Sequence, residues 1–226
     1  MTATDTRVRH VAVIMGSPAS GRSLLALLAP LFESGDHFEV QGVFLEDSGA
    51  SHAAGLPFVK EVCRVTFSVR EFTSDQFEHN LALSVRTARR TFSVLAARTG
   101  LPYSFRNVRG SGGHVLGEAA ASADITVFEP VHLRLSGLVR AMPGRHPQRR
   151  IAALLSDSHS APDILETALR LAAGDSRQVT VLLAPAEGVD TAGLRDLVHR
   201  VLPRQPATLR YLKGEPFAGL CDVSRE

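Results

Sequence analysis

Residues 10–32 read HVAVIMGSPASGRSLLALLAPLF, and residues 150–173 read RIAALLSDSHSAPDILETALRLAA. Each is a short apolar run, then a Gly/Ser turn, then an amphipathic helix opened by a capping residue. Val11–Met15 is apolar throughout, as in a strand covered on both faces. Gly16 and Ser17 turn the chain, with Ser17 placed as N-cap and Pro18 at the first helical position. Leu24, Leu25, Leu28, Leu31 and Phe32 share one helical stripe, and Gly35 is a natural stop. The same statement made twice implies two related α/β units in one polypeptide. Both turns lie where an open parallel sheet presents its ligand crevice.

Outward from the first unit, Phe38–Leu45 predicts a second strand. Residues 46–72 have no clear period and predict an irregular excursion with at most short elements. Thr73 with Gln76 reads as a capping box, and Phe77, Leu81, Val85, Ala88, Phe92 and Leu95 follow at spacings of three and four. Gly100 and Pro102 close this helix, which should run from Ser74 to Thr99, roughly 37 Å. That length suits a helix crossing a whole sheet face. Tyr103–Arg109 predicts a third strand, Gly110–Gly113 a glycine-rich turn, His114–Ala121 a short helix and Asp124–Phe128 a fourth strand. The alternation favours right-handed crossovers and a parallel, Rossmann-like sheet. Residues 129–135, EPVHLRL, could add a fifth, edge strand, because Pro130 is tolerated only there or at a bulge.

Residues 140–149, RAMPGRHPQR, form an aperiodic Pro/Gly/Arg linker between a domain at 1–139 and a second unit at 150–226. In the second unit Ile151–Leu155 predicts a strand. Ser160 with Asp163 signals a cap, and Ile164, Leu165, Ala168, Leu171 and Ala172 make a helical face ending at Gly174. A strand at Gln178–Ala184, a helix from Asp190 to Pro203 and a strand at Ala207–Leu212 follow. In the first half the fourth strand ends about 25 residues after the third begins, whereas about 20 remain after Ala207. The second unit therefore reads as incomplete. Either another element covers its open edge or the chain is a truncated product, and an exposed edge invites a protein partner.

Composition narrows the classes. The chain has 226 residues, 44% hydrophobic and 21% charged, enough for one large or two small cores. Its net charge of +2 and pI near 8.8 are too mild to argue for nucleic-acid binding. No apolar run approaches the ~20 residues that span a bilayer, and MTATDTRVRH holds no secretory core, so no membrane role is expected. Two cysteines, Cys63 and Cys221, suggest neither a disulfide framework nor a zinc site, which fits a reducing cytoplasm.

With both openings and the Gly110 region read, the chain resembles the universal stress protein family. The matching stretches are VAVIMGSPAS (11–20), FEVQGVFLEDSG (38–49), the long helix, and FRNVRGSGGHVLGEAAASADITVF (105–128), where a glycine follows strand three and Ala-Asp precedes an apolar strand. RIAALLSDSHSAPDILETALRLAAG (150–174) looks like the opening of a second copy, and LEDSGASHAAGLPFVKEV (45–62) like an insertion in a bacterial subset. The resemblance implies a stress-response protein that commonly dimerises. It also implies an ATP site whose residues are missing here. An Asp usual at the end of the first strand is replaced by Met15, and by Ser156 in the second half. The usual Gly-x-x-Gly, nine residues, Gly-Ser/Thr run is replaced by Glu129-Pro130-Val131-His132-Leu133-Arg134-Leu135-Ser136-Gly137. A triphosphate needs close backbone approach and free N–H groups, and Glu129 puts a carboxylate where phosphate charge would sit.

Single residues have plain readings beside functional ones. Gly16-Ser17-Pro18-Ala19-Ser20-Gly21-Arg22 lacks a P-loop's Lys-Ser/Thr ending, and reads as a strand–helix turn or as a small-ligand contact by the Gly16 and Ser17 backbone. Gly110, Gly112 and Gly113 read as a flexible turn or an anion contact, with Arg106 and Arg109 on its flank. His132, His146, His159 and His199 are too dispersed for a metal cluster. Cys63 reads as packing before a reactive thiol. Arg140, Arg145, Arg149 and Arg150 read as a solvated linker before an acidic-partner site. No Ser/His/Asp set stands in a nucleophile turn, so no enzyme activity and no cofactor are expected, with ATP as the alternative. The expected protein is a homodimer, or pairs its own halves, and acts by association.

Overall fold

The protein is described here by a computed structural model, which covers residues 8–33, 37–62, 66–128, 151–184, 190–202 and 208–212. The expected fifth strand at 129–135 and the linker at 140–149 lie outside these residues. So do Gly35, Cys63, Glu129, His132, Arg140, Arg145, His146, Arg149, Arg150, Pro203 and Cys221. The chain divides into two compact units, Met1–Ala26 with His37–His132 and Leu27–Asp36 with Leu133–Glu226. Both are α/β with parallel sheets.

The first sheet starts from β1 (Arg9–Met15), whose last five side chains are all buried. After α1 (Pro18–Phe32) comes β2 (Phe38–Asp47), running two residues beyond the expected strand. α2 (Ser48–Ala54) and an antiparallel hairpin of β3 (Lys60–Val62) and β4 (Val69–Glu71) make up the excursion. α3 (Ser74–Thr99) has the expected bounds, and β5 (Tyr103–Gly110), α4 (Gly112–Ser122) and β6 (Ile125–Phe128) follow. The strand order is β5-β2-β1-β6, all parallel, so β1 is flanked on both sides. The order reverses between β1 and β6, the switch point where open sheets of this kind form a crevice.

Local chemistry explains the clearest element. Thr73 Oγ1 accepts from the Gln76 amide at 3.4 Å at the start of α3. At its end, Gly100 takes φ 69°, and the Leu101 and Gly100 amides donate to the Ala96 and Ala97 carbonyls, a Schellman closure. Burial along α3 is lopsided: Ala88, Phe92 and Ala96 are buried, all in its second half. Phe92 lies 5.9 Å from Phe105 and 6.2 Å from Tyr103, ring centre to ring centre, over β5. Its room comes from Gly42 on β2. A Cβ there would stand 2.9 Å from Phe105 Cδ2 and 3.1 Å from two Phe92 ring carbons.

The second unit holds β7 (Ile151–Leu155), α5 (Ala161–Leu171), β8 (Val179–Leu183), α6 (Thr191–Val201) and β9 (Thr208–Tyr211). Its sheet is parallel in the order β7-β8-β9. α5 and α6 pack on one another, and Leu155, Leu165, Val181, Leu183, Leu194 and Val198 form the centre of this core. Among the described residues no strand takes beside β7 the place that β6 takes beside β1.

Two local expectations are corrected. Gly112 and Gly113 do not belong to a flexible turn: the turn is shorter, Gly110 ends β5, and both glycines lie in the first turn of α4 behind Ser111 as N-cap. The Ser160 side chain makes no capping bond. Asp157 replaces it, its Oδ1 accepting from the His159 and Ser160 amides at 2.9 and 2.8 Å and its Oδ2 from Ser160 Oγ at 2.7 Å. A carboxylate three residues ahead of the N-cap position outcompetes a hydroxyl because its acceptors are charged.

Gly42→Ala is expected to destabilise the protein by about 1–3 kcal/mol, because a methyl must displace two rings already in contact. Chemical denaturation reads the loss, and Val43→Ala, at a buried neighbour that would lose volume instead, provides the contrast.

Candidate functional site

The carboxyl edge of the first sheet carries the candidate residues. Here β1 gives way to Gly16 and Ser17, β2 ends in Glu46 and Asp47, and β5 ends in Arg109 and Gly110. The lines of β1 and β5 are two strand spacings apart, about 10 Å. A Cβ on Gly112 would have Leu45 Cδ2 of β2 as neighbour at 3.8 Å, so the start of α4 sits over the strand between them. The fold thus brings Gly16, Ser17, Gly110, Gly112 and Gly113 to one edge, spread over three strands.

At the first turn the Ser17 and Ser20 backbone donors are occupied from within. The Ser20 amide donates to Ser17 Oγ at 3.1 Å, and the Ser17 amide donates to Ser20 Oγ at 3.1 Å. Ser20 Oγ donates in turn to the Ser17 carbonyl at 2.9 Å, and Ser20 is almost fully buried. This is a reciprocal capping box built from two serines. Met15, where nucleotide binders of the resembled family place Asp, is 1% exposed. A Cβ on Gly21 would lie 2.6 Å from Met15 Sδ, so the side chain is tucked against the first turns of α1 rather than offered to a ligand.

At β2 and β5 the edge is ionic. Glu46 and Arg109 are direct cross-strand neighbours. Arg109 Nε donates to Glu46 Oε2 at 3.1 Å and its Nη2 to Glu78 Oε1 of α3 at 3.2 Å. Asn107 Nδ2 donates to the other Glu46 oxygen. The Glu46 hydrogen bond, then the Glu78 charge, raise the Arg109 pKa above its ordinary value. Arg106, the other base beside the glycines, stands 3.8 Å from Glu118 of α4. Both arginines expected to favour an anion therefore face carboxylates. The start of α4 differs: the Ser111 side chain makes no capping bond, and a Cβ on Gly113 would meet nothing within 4 Å.

Other sequence candidates fall elsewhere. Asp124, of the Ala-Asp pair, accepts from the His10 amide at 2.8 Å and ties β6 to β1 at their amino ends, opposite the crevice. An open hollow of about 370 Å³ lined by Val8, His10 and Ala121–Asp124 lies at those amino ends too. Its shallow, wide mouth and distance from the switch point leave the carboxyl edge as the candidate site. His159 and His199 are exposed, and among the described residues no group of three His, Cys, Asp or Glu could hold a metal ion. No helix among them is long and apolar enough to cross a membrane. The Glu46–Arg109–Glu78 cluster had no local sequence signal, since its members are dozens of residues apart.

No protein-family model matches the chain, and no curated protein matches it. Among solved structures it is similar to a universal stress protein from Archaeoglobus fulgidus, at 12% identity and TM-score 0.37, over 95% of this chain and 83% of that one. It is also similar to Mycobacterium tuberculosis FprA in complex with NADPH, at 12% identity and TM-score 0.27, over 93% of this chain and 62% of that one.

The second unit supplies a pH-dependent check on its own strand–helix turn. Hydrogen bonds from the Ser160 amide and hydroxyl, then from His159 and Ser156, hold the Asp157 pKa below the ordinary carboxylate value. A depressed folded pKa stabilises fully above the unfolded value, about 3.9, and the contribution is lost as pH falls through the folded value. Asp157→Asn should therefore flatten the fall of unfolding free energy below about pH 5. Denaturation curves between neutral and strongly acidic pH measure the slope, which should differ from that of the parent only at the acid end.

Proposed function

We propose that the protein is a non-catalytic regulatory protein of universal stress protein type, acting in the cytoplasm through self-association or partner binding and without the family's usual ATP site. The observation carrying this reading is the chain's own occupation of its crevice edge. Met15 is turned inward, the Ser17 and Ser20 amides bond to serine hydroxyls, and Arg109 is shared by two carboxylates. Polyphosphate binding at the first turn would have to displace the Ser17–Ser20 bonds, and farther along the edge it would meet Glu46 and Glu78.

Association is favoured by the hairpin. Phe58 is 96% exposed and Phe67 77% exposed, and Leu56, Val62 and Val69 of the same segment are also exposed. Both phenylalanines have positive φ, 72° and 55°. A three-residue hairpin displaying this much apolar surface is marginal alone, and such patches mark contact sites.

A nucleotide-responsive switch is the second reading. It is favoured by the start of α4, where the Ser111 side chain makes no capping bond, the Gly112 and Gly113 amides head a helix dipole and a Cβ on Gly113 would meet nothing within 4 Å.

Calorimetric titration with ATP and Mg²⁺ separates the two. The first reading expects no binding, and micromolar affinity abolished by Gly112→Val would establish the second. Sedimentation velocity tests association directly. The parent should form a dimer or larger species, and Phe58→Ser with Phe67→Ser should return it to monomer with unchanged circular dichroism. A parent that stays monomeric at high concentration, and binds ATP, ends the association reading.

A further inference from the structure

The two halves of α3 are held in different ways. From Ala88 onward the helix is anchored by buried Ala88, Phe92 and Ala96, and by ring contacts to Tyr103 and Phe105. Between Ser74 and Thr87 no side chain is buried; Phe77, Leu81 and Val85 are half-buried and Leu83 is exposed. A helical segment of this length is marginal in water without tertiary support. Its local ties are the Thr73 cap, the Phe72–Phe77 edge contact at 5.7 Å and the bond from Ser74 Oγ to the Ala54 carbonyl at 2.9 Å. These join it to α2 and to its own lead-in. The Glu78–Arg109 pair reaches the sheet.

We propose that the Arg109–Glu78 ion pair is a salt-sensitive latch that closes the first half of α3 onto the carboxyl edge of the first sheet, with the hinge near Ala88. Arg109 is the fixed side of the latch. Glu46, whose side chain is only 12% exposed, takes its Nε, and Asn107 steadies the second Glu46 oxygen. The guanidinium is thus aimed before Glu78 arrives, which removes much of the ordering cost that leaves most surface pairs worthless. Arg109 and Glu78 are each 54% exposed, so mobile ions reach the pair and screen it. Released, the half-helix keeps its cap and its half-buried Phe77, Leu81 and Val85 but loses its ionic tie to the sheet, while the Phe92 anchor stays. The inference concerns the motion of α3 and stands whether or not the protein self-associates.

Hydrogen exchange followed by mass spectrometry on the full chain tests it, in the parent, Glu78→Gln, Arg109→Gln and the double variant, at low and high sodium chloride. Each single variant should speed exchange in peptides from 75–86 by about three- to tenfold, while peptides from 88–99 are unchanged. The double variant should exchange no faster than either single one, because all three break the same bond. High salt should speed the parent and leave the variants unaffected. Equal acceleration in both halves of α3, additive effects in the double variant, or no effect of either substitution would overturn the latch. Glu78 is exposed and on a helix surface, so Glu78→Gln keeps the test open should Arg109→Gln disturb the sheet edge.

Discussion

The first unit depends on one strand being apolar across its whole inner length. A strand paired on both edges and covered on both faces has no side chain facing water, so each of Val11, Ala12, Val13, Ile14 and Met15 must tolerate complete burial. That requirement fixes β1 as the sheet's centre and puts the switch point at its carboxyl end. It also bears on chemistry. Met15 carries the buried run to the last residue of the strand, and Gly21 leaves the space its thioether occupies. The strand thus ends in packing against the start of α1.

With β1 closed in this way, the polar groups of the edge are left to bond among themselves. A helix start ordinarily leaves donors for an anion. In α1 the serines at 17 and 20 take each other's amides, which is a fold-stabilising use of the atoms a phosphate would seek. At β2 and β5, Glu46 opposite Arg109 is a cross-strand pair in its own right, and Glu78 extends it to the helix. Two carboxylates around one guanidinium leave the edge locally negative.

What the sequence reveals follows the range over which the causes act. α3 is legible to the residue because its start and stop are local: Thr73 and Gln76 at one end, Gly100 at the other. The β3–β4 hairpin is not, because three-residue strands carry no alternation and Lys60, Val62 and the residues of β4 face solvent. The Asp157 cap carries a short-range signal, an Asx residue two and three positions before amides that need an acceptor, but Ser160 and Asp163 gave the more familiar pattern. The Glu46–Arg109–Glu78 cluster is invisible until β2 and β5 are in register. Periodicity similarly marks the stripe of α3 along its full length, yet cannot say that only half of it meets the sheet.

The two openings that look alike in sequence do different work, and burial shows why. β1 is central, and its five inner residues are buried without a break. β7 has one partner among the described residues, and its burial alternates: Ala153 and Leu155 are buried, Ala152 is exposed. The most enclosed strand of the second sheet is β8, where Val179, Val181, Leu182 and Leu183 are all fully buried. An apolar run of five residues is compatible with either place, since alanine suits an open face as well as a covered one. A strand–turn–helix unit thus occurs in both places, but its first strand does not hold the same rank in the two sheets. A ligand crevice of the doubly wound kind needs strands diverging on both sides of that first strand. The described part of the second unit progresses in one direction only, from β7 to β9, so among the described residues its Asp157 turn caps a helix with no strand diverging on the far side of β7.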